Sequence, residues 1–505
     1  MKFVGRLVKQ TAKLEYKRSL KKNLSFDFQK DTLDNLLEIS KRTLLGKKYD
    51  FSTIISQTNS IPLFQEKVPI LTYDEFYDIW LKHTISGKKN ISWPGKTNYF
   101  ALSSGTTGSP SKQIPITKQM IKSFQKTSLK QIVTLCQLDL PTEFFQKQVL
   151  VVGGSSKLTK IEKRHEGDLS GILKKHTKKI AMPFAKPSKR ISDIKDWNKK
   201  LEKIVEEAPK WDIGIIAGIP SWCVLVMEEI VRKHQLQSIH DIWPNLKVYI
   251  HGGIFIEPYE KRLAQVCAQP LFQFDTYLAS EGYFAYQFHE NEKVMRLLID
   301  NGVFFEFIPF NATYFDSEGN LIDRHKAYTL ENVEEGVDYA MIITTNAGLW
   351  RYQLGDTIRF TNVEKREIKI TGRTKQYLSL AGEHLSLDNI REGLLEVSKE
   401  LNIVIEEFTV FADEENANHS WYIGTDKIID AETLQLCMDK HLSNLNDDYK
   451  SARKNTLGKP TIQLISSDLF YTYLASIGKL GAQNKFPRIL RGQQKINWVE
   501  FLKNN

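Results

Sequence analysis

The chain is poor in cysteine and has no long apolar run, and each scarcity excludes something. Four cysteines, Cys136, Cys223, Cys267 and Cys437, are scattered over 505 residues, too far apart for a CxxC zinc or redox pair or a disulfide framework. They read as reduced core residues. No stretch approaches the roughly 20 consecutive apolar residues that cross a bilayer. Met1 to Lys22 mixes lysine and arginine with leucine and valine, without the apolar segment and small-residue cleavage site of a secretory signal, so a cytoplasmic location is expected. Internal repeats and low-complexity tracts are missing, which argues against a solenoid. HExxH and GxSxG are missing too, so His165, His251 and His384 carry no metal or triad signature. Gly95-Lys96-Thr97 fails as a Walker A loop, because the first glycine of GxxxxGK[ST] would fall on Asn90.

What is present suits a folded globular chain. Hydrophobic residues make up 41% and charged residues 26%, far from a disordered composition, and the length permits two or three domains. The net charge of +10 fits attraction to nucleic acid, to an anionic membrane or to a small polyanion, and by itself selects none. Lysines at the N-terminus, from Lys157 to Lys179 and near the C-terminus often stand beside acids, and read mainly as solvated faces. No nucleic-acid-binding module is recognisable. The expected partners are therefore small molecules, with no nucleic acid, no membrane span and a monomeric chain.

Periodicity gives the organisation. Asn98 to Leu102, Gln148 to Val152, Trp211 to Ala217 and Leu246 to His251 read as strands, and Lys118 to Gln137 and Pro220 to His234 as helices. This alternation predicts an α/β fold, a large N-terminal domain of helix-flanked sheets over 1–373. From about 295 to 371 closely spaced strands, Val303 to Ile308, Tyr339 to Thr344, Asp356 to Thr361 and Glu367 to Thr371, predict a β-rich subdomain, a meander or small barrel. Helical and strand patterns return at Leu387 to Leu401, Ile403 to Phe411, Trp421 to Gly424, Ala431 to Asn446 and Thr461 to Ile465. They predict a smaller α+β C-terminal domain over 374–505, with the boundary near Arg373 to Lys375.

Three short constellations carry chemistry. Ser103-Ser104-Gly105-Thr106-Thr107-Gly108-Ser109-Pro110-Ser111-Lys112 follows a strand; glycines let backbone N–H groups turn toward an anion, hydroxyls add donors and the lysine adds charge. A solvated loop is equally consistent with that composition alone. Tyr277-Leu278-Ala279-Ser280-Glu281-Gly282 follows the apolar run Leu271 to Phe274. There an aromatic ring can stack on a base and a carboxylate at a strand end can hold Mg²⁺ against nucleotide phosphates, or the hexapeptide is simply a turn. Trp350-Arg351-Tyr352-Gln353-Leu354-Gly355-Asp356 precedes the strand Thr357 to Phe360; its aspartate can accept hydrogen bonds from two ribose hydroxyls or cap the turn itself.

In this order, and with Phe304 to Pro309 (FFEFIP) and the late run Gly481-Ala482-Gln483-Asn484-Lys485-Phe486-Pro487-Arg488, these elements resemble the adenylate-forming superfamily. More closely they resemble the Gretchen Hagen three family of acyl-acid amido synthetases, across positions 103 to 488. The resemblance implies an ATP- and Mg²⁺-dependent ligase that converts a carboxylic acid to its acyl-adenylate, releases pyrophosphate and passes the acyl group to the amine of an amino acid. An acyl-CoA ligase with a thiol acceptor is the nearest alternative, and a non-catalytic nucleotide- or nucleic-acid-binding protein a more distant one.

Residue by residue, the resemblance implies that Ser103, Ser104, Gly105, Thr106, Thr107, Gly108 and Lys112 embrace the ATP phosphates and that Tyr277 stacks on adenine with Ser280 among the nucleotide contacts. Glu281 would bind Mg²⁺, Asp356 the ribose hydroxyls, and Arg373 would stand beside the ribose. Thr374-Lys375 would be the hinge of a mobile lid. Lys485 would be the catalytic lysine on that lid, with Lys479 six residues away as the other candidate. His251-Gly252-Gly253 would line the adenine and acyl pocket. Phe255, Trp222 and Ile219 either border the acyl pocket or pack in the core. Leu278 and Gln353 depart from the small residue and the arginine usual in plant members, which weakens the analogy to plant hormone substrates.

Overall fold

Short runs rich in valine, isoleucine and phenylalanine, buried on both faces, build the central sheet of the computed structural model. It describes residues 9–17, 25–103, 112–177, 179–254, 256–290, 292–311, 313–316, 319–374, 377–378, 380, 383, 385–425, 427–480 and 485–504. Two long N-terminal helices, α1 (Asp27–Ser40) and α2 (Ser60–Lys67), lay Leu33, Leu36, Leu37 and Phe64 into the main core beside Phe304 and Trp350. A four-stranded sheet follows in the order β2-β1-β5-β4, from β1 (Tyr99–Ser103), β2 (Lys112–Ile116), β4 (Thr159–Ile161) and β5 (Arg164–Gly167).

Among the described residues the large sheet has eleven strands in the order β12-β13-β14-β15-β11-β10-β9-β8-β7-β3-β6. One half is parallel: β3 (Gln148–Val152), β6 (Ala185–Lys186), β7 (Ile213–Gly218), β8 (Val248–Gly252) and β9 (Phe272–Ala279). The other half is antiparallel: β10 (Gly282–Tyr286), β11 (Met295–Leu297), β12 (Val303–Pro309), β13 (Asp338–Thr345), β14 (Tyr352–Asn362) and β15 (Glu367–Arg373). The change of direction falls at the β9–β10 hairpin, which is the Tyr277 to Gly282 motif. The β-rich stretch is thus a meander that continues the large sheet; the small-barrel alternative is not formed.

Helices α5 (Trp197–Glu207) and α6 (Pro220–His234) flank the parallel half, while α3 (Lys118–Thr134) packs on β10 and α4 (Leu169–Lys175) on β1. Pro220 opens α6 where its missing N–H costs nothing, and Gln235 closes it in the left-handed conformation. Its buried face, Trp222, Cys223, Val226, Met227 and Ile230, packs with Trp197 and Ile204 of α5 against the sheet. The C-terminal lobe begins with the hairpin β16 (Tyr377–Leu378) and β17 (Leu385–Ser386) and sets α7 (Leu387–Leu401) and α8 (Ala431–Leu445) on β18 (Ile405–Asp413), β19 (Asn418–Thr425) and β20 (Thr461–Leu464). Ser386 and Asn389 cap α7 reciprocally, each side chain accepting from the other's backbone N–H.

Two residues without an assigned role meet in the core. Glu306, an acid inside the aromatic run FFEFIP, and Arg351, at the head of the RYQLGD motif, are fully buried and form a two-pronged ion pair at 3.0 and 2.9 Å. The remaining guanidinium donors reach the carbonyls of Gln65, Val68 and His325 at 2.7–2.9 Å, so all five N–H groups are matched. Arg351→Ala leaves Glu306 buried without its counter-charge and is expected to cost about 3–5 kcal/mol, read as a lowered urea midpoint. Replacing both residues by apolar ones of similar volume should recover most of that loss.

Candidate active site

The carboxyl ends of β3, β7, β8 and β9 point into one cavity of about 1660 Å³ that runs between the large body and the C-terminal lobe. A cleft outside the carboxyl ends of parallel strands is where α/β sheets bind ligands. Ser103 and Lys112 face each other across the β1–β2 pair and both line the cleft. Positions 104–111 between them, Ser104, Gly105, Thr106, Thr107 and Gly108 included, lie outside the described residues. The Lys112 ammonium stands 5.1 Å from the Tyr73 ring centroid; burial lowers its pKa and the nearby Glu281 partly restores it.

Glu281 is 7% exposed. Burial raises its pKa, Lys112 opposes the shift, and the carboxylate forms no ion pair among the described residues. Ser280 also lines the cleft. Tyr277 belongs to β9 itself rather than to a turn after it. Its buried ring meets Phe284 edge-on at 5.1 Å, and its hydroxyl donates to Asp356 Oδ2 at 2.7 Å. Arg373 Nε donates to the other oxygen, Oδ1, at 2.8 Å. Asp356, read both as the first residue of a strand and as a turn aspartate, lies inside β14. Gly355 before it has φ +90°, and the register between β13 and β14 slips there, a bulge that re-aims the aspartate into the cleft.

The opposite wall is glycine. At Gly252 an added Cβ would fall 2.4 Å from the Thr276 carbonyl oxygen, and Gly253 has φ +85°, so the chain can pass this close only without side chains. Lys485 Nζ donates to the Gly253 carbonyl. Its side chain lines the cleft and remains exposed to solvent, yet the surrounding protein mass lowers its pKa to about 8, chiefly by desolvation and secondarily through the positive charge of Arg373. Lys479 borders the same cleft. Thr374 is buried and donates its N–H to Gly355 at 2.8 Å; Lys375, Phe255, His384 and 481–484 lie outside the described residues. Ile219 lines the cleft, whereas Trp222 is core, edge-on to Trp197 at 4.9 Å. His165 stacks on Tyr99 away from the cleft.

Some cleft residues carried no role in the sequence reading. Asp275 opposes His251 across β8 and β9 with 3.6 Å between Oδ1 and Nδ1; burial drives the aspartate up to about 7 and the imidazole down to about 4, so the two are not an ion pair at neutral pH. Where the lobes meet, Arg391 of α7 pairs with Glu257 at 3.0 Å, and Glu407 of β18 accepts from Tyr259 at 2.6 Å and pairs with Arg488 at 2.5 Å. Lys174 and Lys200, the first read as part of a solvated face, line the cleft, with Lys200 buried. The spacing Trp197, Lys200, Ile204 on one helical face was the available signal for Lys200.

A mixed sheet whose parallel half ends over a cleft, with a smaller C-terminal lobe against it, is the fold of solved adenylate-forming enzymes. The solved GH3.15 acyl acid amido synthetase matches with a TM-score of 0.78 over 98% of this chain and 96% of that one, at 16% identity. A 2-hydroxyisobutyryl-CoA ligase in its postadenylation state matches at 0.62, over 94% and 92%, at 10% identity. Within this class the chain belongs to the GH3 family: the family's N-terminal domain matches residues 19–162, its central domain 296–373 and its C-terminal domain 388–494. Similar curated proteins include a probable indole-3-acetic acid-amido synthetase GH3.1 of Arabidopsis thaliana, 25% identical over 54% of this chain and 48% of that protein. A jasmonoyl--L-amino acid synthetase GH3.5 of Oryza sativa subsp. japonica is 27% identical over 49% and 46%. The chain therefore aligns with about half the length of these relatives.

The desolvated setting of Lys485 predicts its reactivity. In competitive acylation read by mass spectrometry, Lys485 should reach half-maximal labelling near pH 8, below exposed lysines at roughly 10.4. A midpoint with the exposed group would show that the cleft does not desolvate it.

Proposed function

We propose that the protein uses ATP and Mg²⁺ to adenylate a small carboxylic acid and then passes the acyl group to the amine of an amino acid, forming an amide. The observation that carries this reading is the convergence of the Ser103–Lys112 hairpin, the Tyr277–Asp356–Arg373 cluster and Lys485 on one cleft. Ser103 and Lys112, with the loop they bracket, would take the ATP phosphates. Tyr277 would flank the adenine, with Ser280 beside it. Asp356 is held by Tyr277 and Arg373 through one lone pair on each oxygen, and each oxygen retains a second for a ribose hydroxyl. The buried carboxylate of Glu281, without an ion-pair partner among the described residues, fits a divalent cation, and Mg²⁺ there would offset the charge of the departing pyrophosphate.

A carboxylate attacking a phosphate ester brings two anions together, and Lys485 is the cation this chain offers at that point. Its ammonium would neutralise charge shared between the acid and the α-phosphate, a contribution of several kcal/mol, with about tenfold in rate for each 1.4 kcal/mol. For the second half, rotation of the lobe about Thr374-Lys375 would withdraw Lys485 and admit the amine. The closed arrangement is held by Arg391–Glu257 and Glu407–Tyr259, polar contacts that water can replace. The family's amido synthetases favour an amine over the thiol used by the CoA ligase of similar fold. We place the enzyme as a cytoplasmic monomer; no helix among the described residues is long and apolar enough to cross a membrane.

Carboxylate-dependent exchange of pyrophosphate into ATP, followed by amine-dependent AMP release with twenty amino acids and with CoA, tests the reading. Glu281→Ala and Lys485→Ala should each slow exchange at least about a hundredfold. Full exchange in the lysine variant would pass the role to Lys479, and no ATP binding by the folded wild type would end the proposal. Because Lys485 is cationic only below about pH 8, the kcat/KM for exchange should fall as pH rises through that value. Lys485→Arg should move or abolish this limb.

A further inference from the structure

The far wall of the cleft carries charges that nucleotide binding does not use. Lys200 projects from the buried face of α5, is 3% exposed and borders the cavity. Its ammonium donates one long hydrogen bond, 3.3 Å, to the carbonyl of Gly153 just past β3, and no carboxylate among the described residues lies within 4.0 Å of it. Lys174, in the last turn of α4, donates to the Pro187 carbonyl at 2.5 Å and likewise has no carboxylate within that distance. Asp168 borders the same wall, pressed against Gly154 so closely that a Cβ there would fall 1.7 Å from its Oδ2. Asp193 acts on both lysines from farther off, but it is paired with Lys189 at 3.5 Å and accepts from Ser156 at 2.6 Å. Lys186 turns its ammonium toward the Trp211 ring, 5.9 Å away.

With Asp193 counted against its partner Lys189, the two ammonium groups face the carboxylate of Asp168, and neither has a carboxylate within 4.0 Å among the described residues. Burial lowers both lysines to about 8, which keeps them cationic at neutral pH. A lysine kept nine-tenths buried for packing alone is expected to have its counter-charge at contact distance. One incoming carboxylate would balance the wall, whereas a phosphate dianion would overshoot it.

Sheet geometry sets the distance to the reacting end. Val152 at the end of β3 pairs with Gly218 of β7, and Gly218 pairs with His251 of β8. Gly153 and Gly253 therefore lie two strand spacings apart, so the Lys200 wall stands roughly 10 Å from Lys485. The same cavity has apolar lining, Ile219 from the end of β7 and Phe124, Leu129 and Ile132 from α3. Building on the adenylation reading, we propose that the acid substrate is a dicarboxylic acid with an apolar body, one carboxylate activated beside Lys485 and the other held by Lys200 and Lys174.

The test compares α,ω-dicarboxylates of six to ten carbons with monocarboxylates of equal length in the pyrophosphate-exchange assay. The best dicarboxylate should exceed its matched monocarboxylate in kcat/KM by at least about tenfold, with an optimum near eight carbons. Lys200→Met should bring the ratio to within about threefold, and Lys200→Arg should retain a preference. Should the buried substitution impair folding, Lys174→Met at a more open position gives the same readout. Equal or better use of monocarboxylates by the wild type overturns the dicarboxylate assignment while leaving adenylation standing. Exchange with no acid of either series, nor with aromatic or amino acids, removes the adenylation reading and this inference together.

Discussion

Everything in the candidate site leans on a guanidinium buried where water cannot reach it. Arg351 opens the segment that leads through β14 to Asp356, and it adopts a left-handed backbone, φ +40°, which a side chain accepts only when its surroundings hold it there. The holding is done by Glu306 on β12, by the carbonyls of Gln65 in the last turn of α2 and of Val68 just after it, and by the His325 carbonyl. Three separate stretches of chain are thereby tied to the start of one strand. A few residues later the bulge at Gly355 turns Asp356 out of the sheet and toward Tyr277. Without a fixed starting point for β14, the bulge would have nothing to turn against.

The reversal of the sheet explains why that point lies beside a ligand cleft. Parallel strands leave their carboxyl ends open to solvent, and antiparallel strands joined by hairpins close theirs. Where β9 turns into β10, open ends therefore stand beside a closed meander. The cleft gains its glycine wall from the parallel side, through Gly252 and Gly253, and its carboxylates from the hairpin and the meander, through Glu281 and Asp356. The C-terminal lobe rests on this junction through polar contacts together with Tyr471 edge-on to Trp222 and Leu480 against the large body's core, and it has its own apolar core around Trp421, Val397 and Leu442. A lobe that keeps its core when those contacts break can move as a unit.

Much of this was legible in the sequence. Helix α6 starts at its proline and α7 at the residue after its capping serine, because those residues act locally and need no distant partner. The order of the motifs identified the family because each motif keeps its own chemistry. The misreadings were of contacts made at long range. Gly355-Asp356 looked like a turn, since glycine before aspartate usually breaks a strand; here β13 and β15 pair on either side and the break becomes a bulge. Glu306 had only one visible clue, a charge inside FFEFIP, and its partner lies 45 positions away. Lys174 disappeared into a lysine-rich region read as solvated, and Lys200 was given no role, although the helical period already set it beside Trp197 and Ile204.

The cations divide according to what their charge must do. Arginine stands where charge is permanent and geometry matters: Arg351 spreads a fork over Glu306, and Arg373 grips Asp356 from the neighbouring strand. Lysine stands where desolvation makes the charge conditional, with Lys485, Lys200 and Lys174 each lowered to about 8. An ammonium so placed gains most when an anion arrives, because the anion restores what burial removed. The arginines therefore hold the site together before any ligand enters, and the lysines tighten only around one that carries negative charge where they point.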